Sequence, residues 1–272
     1  MPASGESIRL ARLFSEGQNA VVVAVDHGLY FGPLPGMIDL PSVILRVKAA
    51  DAVLMTQGMV GRCQGVFSTR GAPACILRLN WATNYASPWN YKHSHSVPIL
   101  SVQDAVAEGA DVVLASLTLQ NPDEAEDAAN VELLASYVAE KRALGIPLVG
   151  EVFPTGGDDA RREDLHETVL VGCRIAAELG VDLVKTFFTG DRFSDVVKAT
   201  PVPILALGAK KTPRAIDALD LAAAAVRAGA RGVVFGRNVI QSPSPERFLD
   251  ALMDVVKTGL APEAAAKKHN LG

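Results

Sequence analysis

The chain reads as an α/β protein, a (β/α)8 TIM barrel with a short N-terminal extension, in which residues 1–272 form a single domain. Three observations predict this. Eight short apolar runs alternate with helical segments, and the runs are apolar on both faces, as strands covered on both sides must be. Three joints repeat one grammar: Glu108-Gly109-Ala110-Asp111, Leu179-Gly180-Val181-Asp182 and Ala228-Gly229-Ala230-Arg231 each put glycine where a helix ends before a buried strand. No GxGxxG follows the first run, which argues against a doubly wound open sheet.

In order, 21–25 is the first strand and 41–50 has helical spacing. The second strand is 52–55 and the third 75–79. A helix over 102–108 ends at Gly109, ahead of the fourth strand at 111–115. Asn121-Pro122-Asp123-Glu124 opens a long helix with a capping residue, a proline at its first position and early carboxylates. That helix runs to Gly145. The fifth strand is 147–152, with a helix over 165–179. The sixth lies in 181–188, followed by a helix near 192–198. The seventh is 203–207, with a helix over 213–228. The eighth is 232–235, and a helix over 245–258 completes the count. Pro154, Pro201 and Pro203 fall at strand ends, where a missing amide donor is tolerated.

Composition excludes several classes. With 49% hydrophobic residues a sizeable core is available, and the net charge of -4 comes with no Lys/Arg run. Neither nucleic acid nor an anionic membrane surface is an expected partner. The N-terminus lacks a basic-then-apolar leader, and no apolar stretch is long enough to span a bilayer. Cys63, Cys75 and Cys173 are far apart and lack CxxC spacing, so they read as small buried apolar residues in a reducing cytoplasm.

The most informative segment is Val181-Asp182-Leu183-Val184-Lys185-Thr186-Phe187-Phe188. Burying an ammonium costs several kcal/mol unless it is paired or gives up its proton. An amine in an apolar pocket is what Schiff-base chemistry uses. A lysine paired with a carboxylate at the strand mouth is the competing reading. The barrel bears on the choice, because functional groups of this fold gather where its strands end. Those ends carry Asp26 and His27, Thr56 and Gln57, Asn80 and Trp81, Ser116, Glu151 and Phe153, Lys185 and Thr186, Gly208, Gly236 and Arg237. Asp26, Glu151 and Lys185 thus converge on one mouth, a trio suited to making an imine and moving its protons. A buried ion-pair network closing the barrel is the alternative.

The last two loops point to an anion site. Leu207-Gly208-Ala209-Lys210-Lys211-Thr212 and Phe235-Gly236-Arg237-Asn238 each place glycine and a cation after a strand, where barrels often hold phosphate. His27, Gly208, Lys210, Gly236 and Arg237 are therefore the expected substrate-binding set.

Several stretches resemble the DhnA-type, or archaeal-type, class I fructose-bisphosphate aldolases and their aminodideoxyheptulosonate synthase and autoinducer-thiolase relatives. They are Ala24-Val25-Asp26-His27-Gly28, Ser101-Val102-Gln103-Asp104-Ala105, Gly145-Ile146-Pro147-Leu148, Asp182-Leu183-Val184-Lys185-Thr186 and Gly229 through Asn238. The resemblance implies a Schiff base at Lys185, an acid at Asp26, and a phosphate held by Gly208, Gly236 and Arg237. It also implies a homo-oligomer, a decamer of ring pentamers. Two departures stand out. The family places a tyrosine after the fifth strand, in Tyr-Pro-Arg-Gly, where this chain has Phe153 in Glu151-Val152-Phe153-Pro154. Its phosphate loop reads Gly-Gly-Pro-Lys, where this chain has Leu207-Gly208-Ala209-Lys210. The first removes a proton carrier, and the second one close backbone approach.

Remaining features take plainer readings. His93 and His95 have HxH spacing but no third partner in sequence, and read as a solvated loop. Trp81, Tyr85, Trp89 and Tyr91 share one long loop, a lid, a pocket wall or an oligomer contact. Asp158, Asp159, Arg161 and Arg162 read as a solvated turn. The expected function is a class I aldolase without metal or cofactor, acting on a phosphorylated ketose or aldehyde, with Lys185, Asp26 and Glu151 as its chemistry. In this reading a raised Glu151 pKa stands in for the missing tyrosine. The alternatives are a non-imine isomerase, epimerase or thiolase-like enzyme, and a non-catalytic sugar-phosphate binding barrel.

Overall fold

The computed structural model describes residues 4–85, 89, 91, 93–157 and 159–271, with no side-chain description for Glu16. Its strands are β1 (Ala20–Ala24), β2 (Ala52–Met55), β3 (Ala74–Arg78), β4 (Asn80–Ala82), β5 (Ser96–Pro98), β6 (Val112–Leu117), β7 (Leu148–Val152), β8 (Leu183–Phe187), β9 (Ile204–Leu207) and β10 (Gly232–Phe235). Eight of them close into a parallel barrel in the order β1-β10-β9-β8-β7-β6-β3-β2. Each expected apolar run supplies one barrel strand, and every residue of these strands is buried. The closing pair aligns Ala20 with Gly232 and Val23 with Phe235.

Alternation along the strands divides the core in two. Val22, Leu54, Ile76, Leu114, Val149, Leu183, Leu205 and Val234 belong to an inner cluster that fills the barrel. Leu13 is buried in that cluster, with Leu10 and Phe14 packed against it. The helix that carries Leu10 and Leu13, Ser4–Leu13, is tied to the barrel's N-terminal end by Arg12 on Asp111 and by Arg9 on the Gly145 carbonyl. The second, larger cluster lies between the sheet and the surrounding helices.

The three glycine joints behave as expected. Gly109, Gly180 and Gly229 have φ of +94°, +106° and +105°, a region that favours residues without Cβ.

Helix ends depart from expectation in instructive ways. The long helix is Glu124–Leu144, capped by Asp123, whose side chain accepts from the Ala125 amide at 2.9 Å. Asn121 and Pro122 lie outside it, because the Asn121 side chain is engaged by Asp127 at 2.6 Å. The 41–50 segment forms only the short helix Leu40–Ile44 and a 3-10 turn, Leu45–Val47. The final predicted helix is Pro245–Met253 running into a π turn, Asp254–Thr258. The helices Gln57–Cys63 and Pro262–Lys268 are additional. So is the antiparallel hairpin β4–β5, which follows β3 and pairs Trp81 with Val97. No described helix is long and apolar enough to cross a membrane.

Candidate active site

One step beyond the apolar layer, the same inward parity places charge. Ile76 is followed two residues on by Arg78, Leu114 by Ser116, Val149 by Glu151 and Leu183 by Lys185; past the end of β1, Asp26 follows Ala24. Glu151 and Lys185 are register partners on β7 and β8, and Ser116 is the partner of Glu151 on β6. Asp26, Arg78, Glu151 and Lys185 are 4%, 1%, 1% and 6% exposed, so two cations and two anions are buried together. Such a set survives burial only if its members pair.

Arg78 holds the centre. Its Nε donates to Asp26 Oδ2 at 2.6 Å and its Nη2 to Glu151 Oε2 at 2.7 Å. The guanidinium carbon lies 5.2 Å from the Tyr30 ring centre and 5.4 Å from that of Tyr85. Lys185 Nζ contacts the other Glu151 oxygen, Oε1. Tyr85 Oη donates to Glu151 Oε2 at 2.7 Å. Both oxygens of Glu151 are therefore engaged.

The electrostatic consequences follow. Burial pushes the Asp26 carboxyl up, but Arg78, Lys185 and His27 outweigh it and bring it down to about 2. Burial likewise opposes ionisation of Glu151, and Arg78 and Lys185 again win, holding its carboxyl below the usual range. This overturns the expectation that an apolar mouth raises Glu151 towards neutrality: the mouth contains Arg78. The Tyr85 phenol moves the other way, pushed well up by burial and then by the Glu151 carboxylate.

Tyr85 reaches the site from a 3-10 turn, Thr83–Tyr85, that follows β4. Asn84 Nδ2 donates to Thr118 Oγ1 at 2.8 Å and to the Phe153 carbonyl at 3.2 Å, fixing the turn to the ends of β6 and β7. The Tyr85 ring then packs on Phe153, with centroids 4.1 Å apart, and on Tyr30 at 4.6 Å.

Gly208, Ala209, Gly236 and Arg237, which follow β9 and β10, also line the cavity, with His27 beside Gly236. Both glycines are sterically required. A Cβ at Gly236 would stand 2.3 Å from His27 Cε1 and 2.5 Å from the Ala24 carbonyl; one at Gly208 would stand 2.7 Å from the Phe235 ring. Asn238 braces the two loops together, accepting from the Thr212 amide at 2.8 Å and donating to the Gly208 carbonyl at 3.0 Å.

Of the expected residues, Lys185, Asp26, Glu151, His27, Gly208, Gly236 and Arg237 line this one cavity. Lys210 does not: its half-exposed ammonium pairs with Asp159 outside the cavity. Arg78 and Tyr30 also line it without being among the expected site residues, and Tyr85 lines it as the pocket-wall reading of its loop allowed. Arg78 carried the same signal as Lys185, a cation inside a buried apolar strand. For Tyr85 the long aromatic loop offered a pocket wall as one of three readings, but its contact with Glu151 depends on the hairpin. His93 and His95 find a partner in Glu126 Oε1, at 3.0 and 3.3 Å. Among the described residues no group of three such side chains is placed to hold a metal ion. Trp89 and Tyr91 are exposed, whereas Asp158 lies outside the described residues.

Comparison with known proteins identifies the family. The model of the DeoC/LacD family aldolases matches residues 20–242. An uncharacterized aldolase of Saccharolobus solfataricus is 34% identical over 93% of this chain and 94% of its own length. The 2-amino-3,7-dideoxy-D-threo-hept-6-ulosonate synthase of Halobacterium salinarum is 30% identical over 100% of this chain and 98% of its own. Among solved structures, an archaeal fructose-1,6-bisphosphate aldolase whose catalytic lysine is covalently bound to the carbinolamine intermediate is 30% identical. It covers 92% of this chain and 99% of its own, with a TM-score of 0.79.

Proposed function

We propose that this chain, which belongs to the DeoC/LacD family of aldolases, works through an imine between Lys185 and a phosphorylated ketone. A protonated imine is the electron sink that C–C cleavage or formation needs, and it requires an amine held in a water-poor pocket beside a group that takes its proton. One observation carries the reading: Lys185, buried in the middle of β8, contacts Glu151 Oε1 in the cavity. Attack on a carbonyl requires that proton to leave, and Oε1 is the atom in contact to receive it. Asp26, held ionised beside Arg78, supplies a fixed negative charge facing the developing iminium.

The phosphate occupies the end bounded by Gly208, Gly236 and Arg237. The two glycines let the loops close on Phe235, His27 and the Ala24 carbonyl beside the cavity, and a guanidinium binds phosphate in a planar, bidentate manner. Lys210, paired with Asp159, takes no part. The compared proteins support the substrate class, since one is a fructose-1,6-bisphosphate aldolase and another a heptulosonate synthase. We further infer a homo-oligomer of single barrel domains acting in the cytoplasm.

Hydride trapping tests the reading. Dihydroxyacetone phosphate plus borohydride is expected to add mass to the tryptic peptide containing Lys185, with none added in Lys185→Met. Mass on another lysine, or none at all, overturns it.

A further inference from the structure

The site as described has an imbalance. At rest it holds two carboxylates, both kept ionised by Arg78, with Glu151 gaining a proton only from Lys185, and Phe153 offers no exchangeable proton. Forming an imine nevertheless needs an acid, because the carbinolamine hydroxyl leaves only as water. The group available must be protonated, lie in the cavity and share a proton-carrying partner with Lys185. Tyr85 meets each requirement. It lines the cavity, and its hydroxyl is 2.7 Å from Glu151 Oε2 while Lys185 holds Oε1 of the same carboxylate. The two atoms that act in sequence thus hang from the two oxygens of one side chain.

The phenol is placed by construction. Thr83 binds the His93 carbonyl and accepts from the His95 amide, while Asn84 ties the turn to Thr118 and Phe153. Phe153, 4.1 Å away between ring centres, closes one face of the Tyr85 ring, and Tyr30 closes another. Rotation is therefore restricted, and the hydroxyl stays on Glu151 Oε2, across the carboxylate from Lys185.

We propose that Tyr85 is the proton donor of this site, giving its phenolic proton to the substrate oxygen that leaves as water when Lys185 forms its imine. The proposal rests on the imine reading above. Lys185 first passes a proton to Glu151 and its nitrogen attacks the ketone carbon. Proton transfer within the adduct gives the neutral carbinolamine. The C–O bond then breaks with its electron pair going to oxygen, the nitrogen lone pair forms C=N, and Tyr85 supplies the proton that completes water. Glu151, now protonated, returns its proton to the Tyr85 oxygen. Lys185 gives up its charge as an ammonium and regains it as an iminium, and Glu151 and Tyr85 end as they began. The last transfer runs downhill, because Glu151 is held acidic and Tyr85 is held weakly acidic.

The experiment follows imine formation in time: the protein is mixed with dihydroxyacetone phosphate and quenched with borohydride at intervals, and mass on the Lys185 peptide is read. Tyr85→Phe is expected to label the same peptide at about 10²-fold lower rate, the usual scale for a lost general acid. Adding Phe153→Tyr to Tyr85→Phe is expected to recover about tenfold or more, since it restores a phenol against the same ring position. Labelling by Tyr85→Phe within about threefold of the unsubstituted rate overturns the proposal. A slow variant that Phe153→Tyr does not rescue overturns it too, marking Tyr85 as a packing residue. If Tyr85→Phe does not fold, 3-fluorotyrosine at position 85 keeps the ring and its bond to Glu151 while altering acidity. A changed labelling rate then supports the proposal, and an unchanged one overturns it. No label in the unsubstituted protein removes the imine reading itself, an outcome distinct from label that forms normally without the Tyr85 phenol.

Discussion

Arg78 Nη2 and Glu151 Oε2 stand 2.7 Å apart at the centre of the barrel mouth, with both side chains almost wholly removed from solvent. The contact explains why two carboxylates can be buried beside Lys185 without either becoming neutral. Arg78 reaches Asp26 with one edge of its guanidinium and Glu151 with another, a geometry that lysine cannot reproduce.

Removing that cation leaves two buried anions facing one amine. Arg78→Met is expected to lower stability by about 3–5 kcal/mol, the scale for breaking a buried pair from one side. Arg78→Lys should recover only part of the loss. Urea unfolding of the three proteins measures both values, and an Arg78→Met variant as stable as the parent would refute the structural role.

The depressed Asp26 carboxyl makes a signed prediction about acid. Its folded value, about 2, lies below its ordinary 3.8. The stabilisation is thus fully present above pH 3.8 and is lost as pH falls through about 2. The difference amounts to about 2 kcal/mol. Unfolding free energies at pH 5 and pH 2.5 should therefore diverge more in the unsubstituted protein than in Asp26→Asn. Equal pH slopes in the two would contradict the assignment.

Glu151→Gln tests a residue with two duties. It removes a proton carrier from Lys185 and Tyr85 and one of the anions that compensates Arg78. Turnover is expected to fall about 10²-fold or more, together with a lowered melting temperature. Normal turnover in a destabilised Glu151→Gln would reduce Glu151 to an ion-pair partner. That outcome, combined with an inactive Asp26→Asn, would move the proton chemistry to Asp26.

A chelator is expected to leave activity unchanged, because the imine supplies the electron sink that a Lewis-acid metal would otherwise provide. Loss of activity with EDTA and recovery on adding Zn²⁺ would direct attention to His93, His95 and Glu126.

How legible the site was depended on how local its signals were. All eight barrel strands stood out because a strand buried on both faces must be apolar throughout, and β2 and β10 match the predicted ends residue for residue. Lys185 and Glu151 stood out because a charge in such a strand breaks the pattern. Arg78 broke it in the same way inside β3 but passed unread as a site residue. Tyr85 was legible only as one aromatic of a loop that could wall the pocket, not as a partner of Glu151. Its position is set by the β4–β5 hairpin, Thr83 and Asn84, through contacts spanning up to 69 residues of sequence. The direction of the Glu151 shift was misjudged for the same reason, since it depends on an arginine 73 residues away. Lys210 was drawn into the site by its place in the loop, but its partner Asp159 comes from the loop after β7.

The account stands or falls on a covalent bond at Lys185, and a crystal soaked with dihydroxyacetone phosphate examines that bond directly. The predicted result is continuous density from Lys185 Nζ to the ketone carbon, with the phosphate beside Gly208, Gly236 and Arg237. A phosphate bound in that place with the ketone separate and Lys185 still on Glu151, or a ligand found elsewhere, would contradict it.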